Sequence, residues 1–122
     1  MKLTHTDEKS EGLAALELRG VSCKFPDHLA VNDVSLAIRR GEFLTLLGPS
    51  GCGKTTILRM VAGFENPTSG QILIGGQPMA GVPAYRRPVG IVFQMLAVFA
   101  QTRLPENIAF GLEVQKTPRS EI

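Results

Sequence analysis

Residues 48–56 read Gly48-Pro49-Ser50-Gly51-Cys52-Gly53-Lys54-Thr55-Thr56 and match the pattern G-x-x-x-x-G-K-[ST]. Glycines, lacking a Cβ, let a backbone curl tightly around an anion with several N–H groups turned inward. A helix opening near Lys54 would add the positive end of its dipole at the same place. Lys54 would then set a compact cation against the outer phosphates of a polyphosphate. The Thr55 hydroxyl would ligate a Mg²⁺ ion bridging them, with Thr56 assisting from the helix start. With glycine at about 7% of residues, the bare pattern arises by chance in about one chain of this size per few hundred. The flanks argue further against chance. EFLTLL at 42–47 is nearly continuous in apolar residues, as expected of a central strand buried on both faces. TTILRMVA at 55–62 carries Ile57, Leu58, Val61 and Ala62 at helical spacing, and Gly63 is placed to end the helix. Cys52, inside the loop, reads as a small residue that fits.

Outward from this loop the pattern changes. Upstream, ALELRGVSCKF from Ala14 and VSLAI at 34–38 alternate apolar and polar residues, with turns expected at Pro26-Asp27 and Asn32-Asp33. That alternation suits an antiparallel, half-exposed sheet. Residues 1–12, MKLTHTDEKSEG, have no apolar periodicity and read as a disordered polar lead-in to a folded part at 13–122. Downstream, Pro67-Thr68-Ser69-Gly70 reads as a turn, QILI at 71–74 as a strand and Gly75-Gly76 as a second turn. Residues 76–88, with three prolines, read as loop, and VGIVF at 89–93 as another apolar strand, ending at Gln94. Pro105 can open a short helix through Ile108, Ala109 and Leu112.

Composition limits the alternatives. The chain has 122 residues, 43% of them hydrophobic and 20% charged, which suits one soluble globular domain at most. A net charge of +2, with basic residues scattered apart from Arg39-Arg40 and Arg86-Arg87, gives no stripe along which a nucleic acid could lie. Both doublets read as solvated turn charges. The longest mostly apolar run, 91–100, falls well short of a membrane span, and no secretory leader is evident, so a cytoplasmic location is expected. Cys23 and Cys52 form neither a disulfide framework nor a zinc site, and His5 and His28 lack ligands at metal spacing.

GEFLTLLGPSGCGKTTILRMVAGFENPTSGQILIGG at 41–76, followed by RRPVGIVFQ at 86–94, resembles the ATP-binding subunit of ABC transporters. The resemblance runs from about Leu16 to the last residue. It implies an α/β phosphate-loop NTPase core carrying an antiparallel β subdomain, with ATP and Mg²⁺ bound at residues 48–56. In that family a strand-end Gln ligates Mg²⁺ and the attacking water, and Gln94 holds the place. An upstream aromatic ring stacks on adenine, and Phe25 occupies the matching position in VSCKFPDH. The implied catalytic pair is Lys54 and Gln94. Among importers the chain looks most like the ATP-binding proteins of polyamine uptake. That implies integral-membrane permease subunits as partners, a solute-binding protein acting indirectly, a homodimer in the complete protein and a peripheral place on the inner face of the membrane.

Two departures from the family pattern carry expectations of their own. No LSGGQ-type sequence, no Asp-Glu pair ending a second buried strand and no switch His occurs in the 122 residues. The core is therefore expected to be incomplete at its C-terminal side, to leave the apolar faces of 42–47 and 89–93 uncovered, and not to hydrolyse ATP alone. After Gln94, Ala100 and Gln101 stand where the family has Pro and His, which bears on docking to the membrane subunits, while Phe99 is retained as a contact. A nucleotide-binding remnant without turnover, and a non-transport phosphate-loop ATPase, are the alternatives.

Overall fold

The computed structural model describes residues 4–5, 14–95 and 97–122, and the chain divides into two compact units, Met1–Gly90 and Ile91–Ile122. Apart from Thr4 and His5, the polar lead-in expected at 1–12 lies outside the described residues.

The first unit is built on an antiparallel sheet. β1 (Thr4–His5), β2 (Leu16–Lys24), β3 (Leu29–Ile38), β4 (Ser69–Ile74) and β5 (Gln77–Pro78) lie in the order β1-β3-β2-β4-β5, with only the β1–β3 pair parallel. Alternation in β2 and β3 turns Leu18, Val21, Val31 and Val34 into the core, where Ile57 and Met60 of α1 (Lys54–Ala62) join them. Fully burying such a side chain stabilises by about 1.5–3 kcal/mol before its ordering entropy is counted. The expected turn at Pro26-Asp27 is present, closed by the Phe25 N–H donating to the His28 carbonyl at 2.8 Å. The one expected at Asn32-Asp33 is not, because β3 runs through it. Asp33 takes a positive φ of 49° in an irregularity of the β2–β3 ladder, and its N–H is satisfied by the Ser22 hydroxyl at 2.9 Å. The local signal was correct, but a long flanking hairpin absorbed it as a bulge.

α1 begins where the helical pattern predicted and ends at Gly63, whose left-handed φ of 92° lets its N–H cap Arg59 and Met60. Leu58, assigned by spacing to the apolar face, is exposed, and Met60 takes the buried place instead. Residues 76–88 are irregular except for β5 and a short 3-10 turn at Ala84–Arg86.

The apolar segments 42–47 and 89–93 are not strands. Phe43 is 94% exposed and Val92 90% exposed. A strand exists only through its ladder, and neither segment belongs to one among the described residues. The expected central strand at 42–47, buried on both faces, is thus not formed; the sheet is antiparallel apart from its β1–β3 pair, in a mixed α and β unit. An apolar groove of about 320 Å³, lined by Leu36, Ile38, Phe43, Leu46, Ile57 and Val61, shows the expected uncovered face.

The second unit is organised by α2 (Leu104–Val114), which opens with Pro105 in its first turn, as predicted, and extends two residues past Leu112. Glu106 accepts from the Arg103 N–H at 2.8 Å, and the Asn107 side-chain Oδ1 accepts from the Phe99 N–H at 2.8 Å. The Phe99 and Phe110 rings lie 4.5 Å apart, centroid to centroid. None of α2 is buried. No helix among the described residues is long and apolar enough to cross a membrane.

Candidate functional site

The phosphate-loop residues converge on the first turn of α1. Gly53 caps the helix with φ 98° and, having no side chain, makes no side-chain cap bond, and the first turn contains no acid. The leading N–H groups of an α-helix have no partner within it, so this end presents donors and the positive dipole end together. Gly53 is also required by space: a Cβ there would lie 2.4 Å from the Ala30 carbonyl oxygen of β3. That close approach fixes the end of the loop to the sheet.

The loop is closed from within. The Cys52 N–H donates to the Pro49 carbonyl at 3.3 Å. Its Sγ lies so near Gly48 that a Cβ at that position would be 2.6 Å away. The small thiol thus packs against Gly48. Lys54 Nζ lies across the loop, donating to the Gly48 carbonyl and, at 3.4 Å, to that of Pro49. Gly48, Pro49, Ser50 and Gly51 are exposed, as is Thr55, while Thr56 is half-buried. Carbonyl oxygens hold a lysine more weakly than phosphate oxygens do, so the ammonium is already at the loop and can exchange one set of acceptors for another.

Phe25 belongs to the same unit, at the turn between β2 and β3, half-buried and packed against the core. Gln94 is exposed and belongs to the second unit. The first unit therefore brings together the loop and the strand that leads to Phe25. No group of three or more His, Cys, Asp or Glu able to hold a metal occurs among the described residues. A Mg²⁺ ion is held mostly by phosphates and waters with one or two protein oxygens, and in the first unit the exposed Thr55 hydroxyl is a donor of the right kind.

Sequence reasoning missed Arg87. The doublet was read as solvated, but only Arg86 is, its guanidinium 5.9 Å from the exposed Tyr85 ring. Arg87 is 8% exposed and donates from Nε to Val82 at 2.9 Å, from Nη1 to Met60 at 2.8 Å and Val61 at 3.1 Å, and from Nη2 to Met79 at 3.1 Å, all carbonyl oxygens. Burial pushes its pKa down. It thereby ties the C-terminal end of α1 to the segment after β4. Only the smallness of Gly63 hinted at this neighbour: a Cβ there would lie 2.8 Å from Arg87 Nε. Cys23 is buried, and burial first, then Glu65, pushes its thiol pKa up, which makes it an inert core residue.

Comparison with known proteins agrees with the loop. Residues 31–121 match the family described as ABC transporter, so Phe25 lies just upstream of the matched part. The chain is 49% identical to the spermidine/putrescine import ATP-binding protein PotA of Rubrobacter xylanophilus, over all of this chain and 34% of that protein. It is 54% identical to the protein of the same name from Nitrosomonas eutropha, over 90% of this chain and 30% of the relative. The Haemophilus ducreyi protein of that name is 50% identical over 94% of this chain and 31% of its own length. The chain thus spans about a third of the length of the curated relatives it matches.

Proposed function

The chain belongs to the ABC transporter family, and from that premise we propose that it is the ATP-binding, energy-coupling part of a polyamine importer. The observation that carries the reading is the first turn of α1, uncapped by any side chain and without an acid, with Lys54 folded over the glycine loop in front of it. The names of the relatives, spermidine/putrescine import ATP-binding proteins, supply the substrate class.

In this reading the backbone N–H groups of residues 48–56 receive the β- and γ-phosphates of ATP, and Lys54 leaves the Gly48 and Pro49 carbonyls to pair with them. The Phe25 ring receives adenine on its exposed face. The Thr55 hydroxyl would hold Mg²⁺, which would offset charge building on the phosphates. Gln94, in the second unit, would serve in the complete protein as the family's strand-end Gln, a ligand of Mg²⁺ and of the attacking water. Turnover belongs to a homodimer of the complete protein docked on integral-membrane permease subunits at the cytoplasmic face, with a solute-binding protein delivering the polyamine. The 122 residues bind ATP without hydrolysing it, since they hold no LSGGQ-type sequence and no Asp-Glu pair behind a second buried strand.

Grafting tests this reading. The corresponding third of the Rubrobacter xylanophilus relative would be replaced by this chain, and ATP-dependent spermidine uptake measured in cells carrying that relative's own membrane subunits. Uptake restored by the graft and lost with Lys54→Ala is the expected result. A graft that binds ATP and assembles with those subunits yet gives no uptake would contradict the assignment.

A further inference from the structure

Phe25 has a ring partner at its own turn. The Phe25 N–H bond to the His28 carbonyl at 2.8 Å folds the chain back over Pro26 and Asp27. The fold brings the His28 imidazole to 5.3 Å from the Phe25 ring, centroid to centroid, tilted by 34°. That separation and tilt lie within the range of favourable aromatic pairs. The imidazole is also held by Asp27, its Nδ1 2.8 Å from Oδ1. That bond to His28 is the main reason the Asp27 carboxyl sits below its ordinary range.

Position adds a second argument. Phe25 rests on the core, whereas Asp27 and His28 are exposed, so the imidazole is an addition to the platform and no part of the fold's interior. Two residues further on, the Ala30 carbonyl receives the close approach of Gly53. The turn and the phosphate loop are therefore fixed to the same end of β3, one by chain continuity and the other by backbone contact. A flexible Phe side chain at a half-exposed site would otherwise have to be ordered by the ligand itself, at a cost in affinity.

Resting on the nucleotide reading above, we propose that His28, steadied by Asp27, is a positioning residue for the nucleobase: it packs against the Phe25 ring and presets the attitude in which that ring receives a purine. The device acts only on ligands that carry a base. The polyphosphate, held by residues 48–56, does not depend on it.

Calorimetric binding of ATP and of inorganic tripolyphosphate, each with Mg²⁺, to the full 122-residue chain separates the two parts. His28→Ala is expected to weaken ATP about threefold to tenfold and to leave tripolyphosphate unchanged. His28→Phe, which keeps a ring against Phe25, is expected to stay within about twofold of the wild type for ATP. Asp27→Ala should weaken ATP by about twofold, again without effect on tripolyphosphate. Equal weakening of both ligands by His28→Ala, which a merely structural role would give, overturns the proposal, as does an unchanged ATP affinity. Failure of the underlying reading looks different: neither ligand binds the wild type, or Lys54→Ala alters neither, and then both readings fall together.

Discussion

The two helices of this chain begin in opposite ways. α2 closes its own N-terminus: Glu106, in the first turn, accepts from the Arg103 N–H, and Asn107 ties down Phe99 and, at 2.7 Å, the Thr102 hydroxyl. α1 does neither, since its cap is a left-handed glycine, its first turn has no acid, and a lysine opens it. Both helices face the same unpaired N–H groups. In α2 the sequence supplies an acceptor for the Arg103 N–H, whereas α1 offers none from its cap or first turn, which in the proposed reading is the place of a bound anion. Here Gly53 is pressed against Ala30 at the sheet, so the open end is held rigidly in one place.

The largest way to break the contrast is to release the far end of α1. Arg87→Met leaves the carbonyls of Met60, Val61, Met79 and Val82 without their buried donor. It should cost about 3–5 kcal/mol in urea unfolding. No comparable change in the second unit should approach that figure, because α2 buries nothing. Next in size is Gly53→Ala, which meets the Ala30 carbonyl and a disfavoured φ. A loss of about 2–4 kcal/mol is expected, together with loss of the ATP-induced thermal shift.

Thr56→Glu sharpens the contrast further, since Thr56 stands at the third helical position of α1, where Glu106 stands in α2. Importing the acid should leave stability unchanged or raise it by about 0.5 kcal/mol, while weakening ATP at least about tenfold. Weakened ATP without lost stability is the signature to look for in paired calorimetry and thermal melts. Smallest is Glu106→Ala, which removes the cap of α2. It should cost about 0.5–1 kcal/mol and leave ATP affinity untouched.

What could be read from the sequence follows the range of the interactions involved. The helix after the loop with its stop at Gly63, the strand β2, the later part of β3 and the strand before Gly75 are set by neighbours within a few residues, and these were legible. Segments 42–47 and 89–93 were misread as strands because an apolar run shows the capacity to be buried and says nothing about a pairing partner. Arg87 was misread for a related reason. Its acceptors come from three places, residues 60–61, 79 and 82, so nothing adjacent to it in sequence marks it as buried. Asn32-Asp33 was misread as a turn: Asp33 does take a positive φ, but inside the β2–β3 ladder, where a bulge accommodates it. At the candidate site residues 48–56 stand together as one motif in the sequence, whereas the contact of His28 with Phe25 depends on how the turn closes.

The most direct test of the open helix start is thermal unfolding of the chain with and without Mg-ATP, beside Lys54→Ala. A ligand that binds only the folded state at about one hundred times its Kd adds about 2.7 kcal/mol, which for a chain of this size raises the transition by about 10 °C. The account predicts that rise for the wild type and none for Lys54→Ala. A wild-type transition that Mg-ATP leaves in place, or an equal rise in the variant, would contradict it.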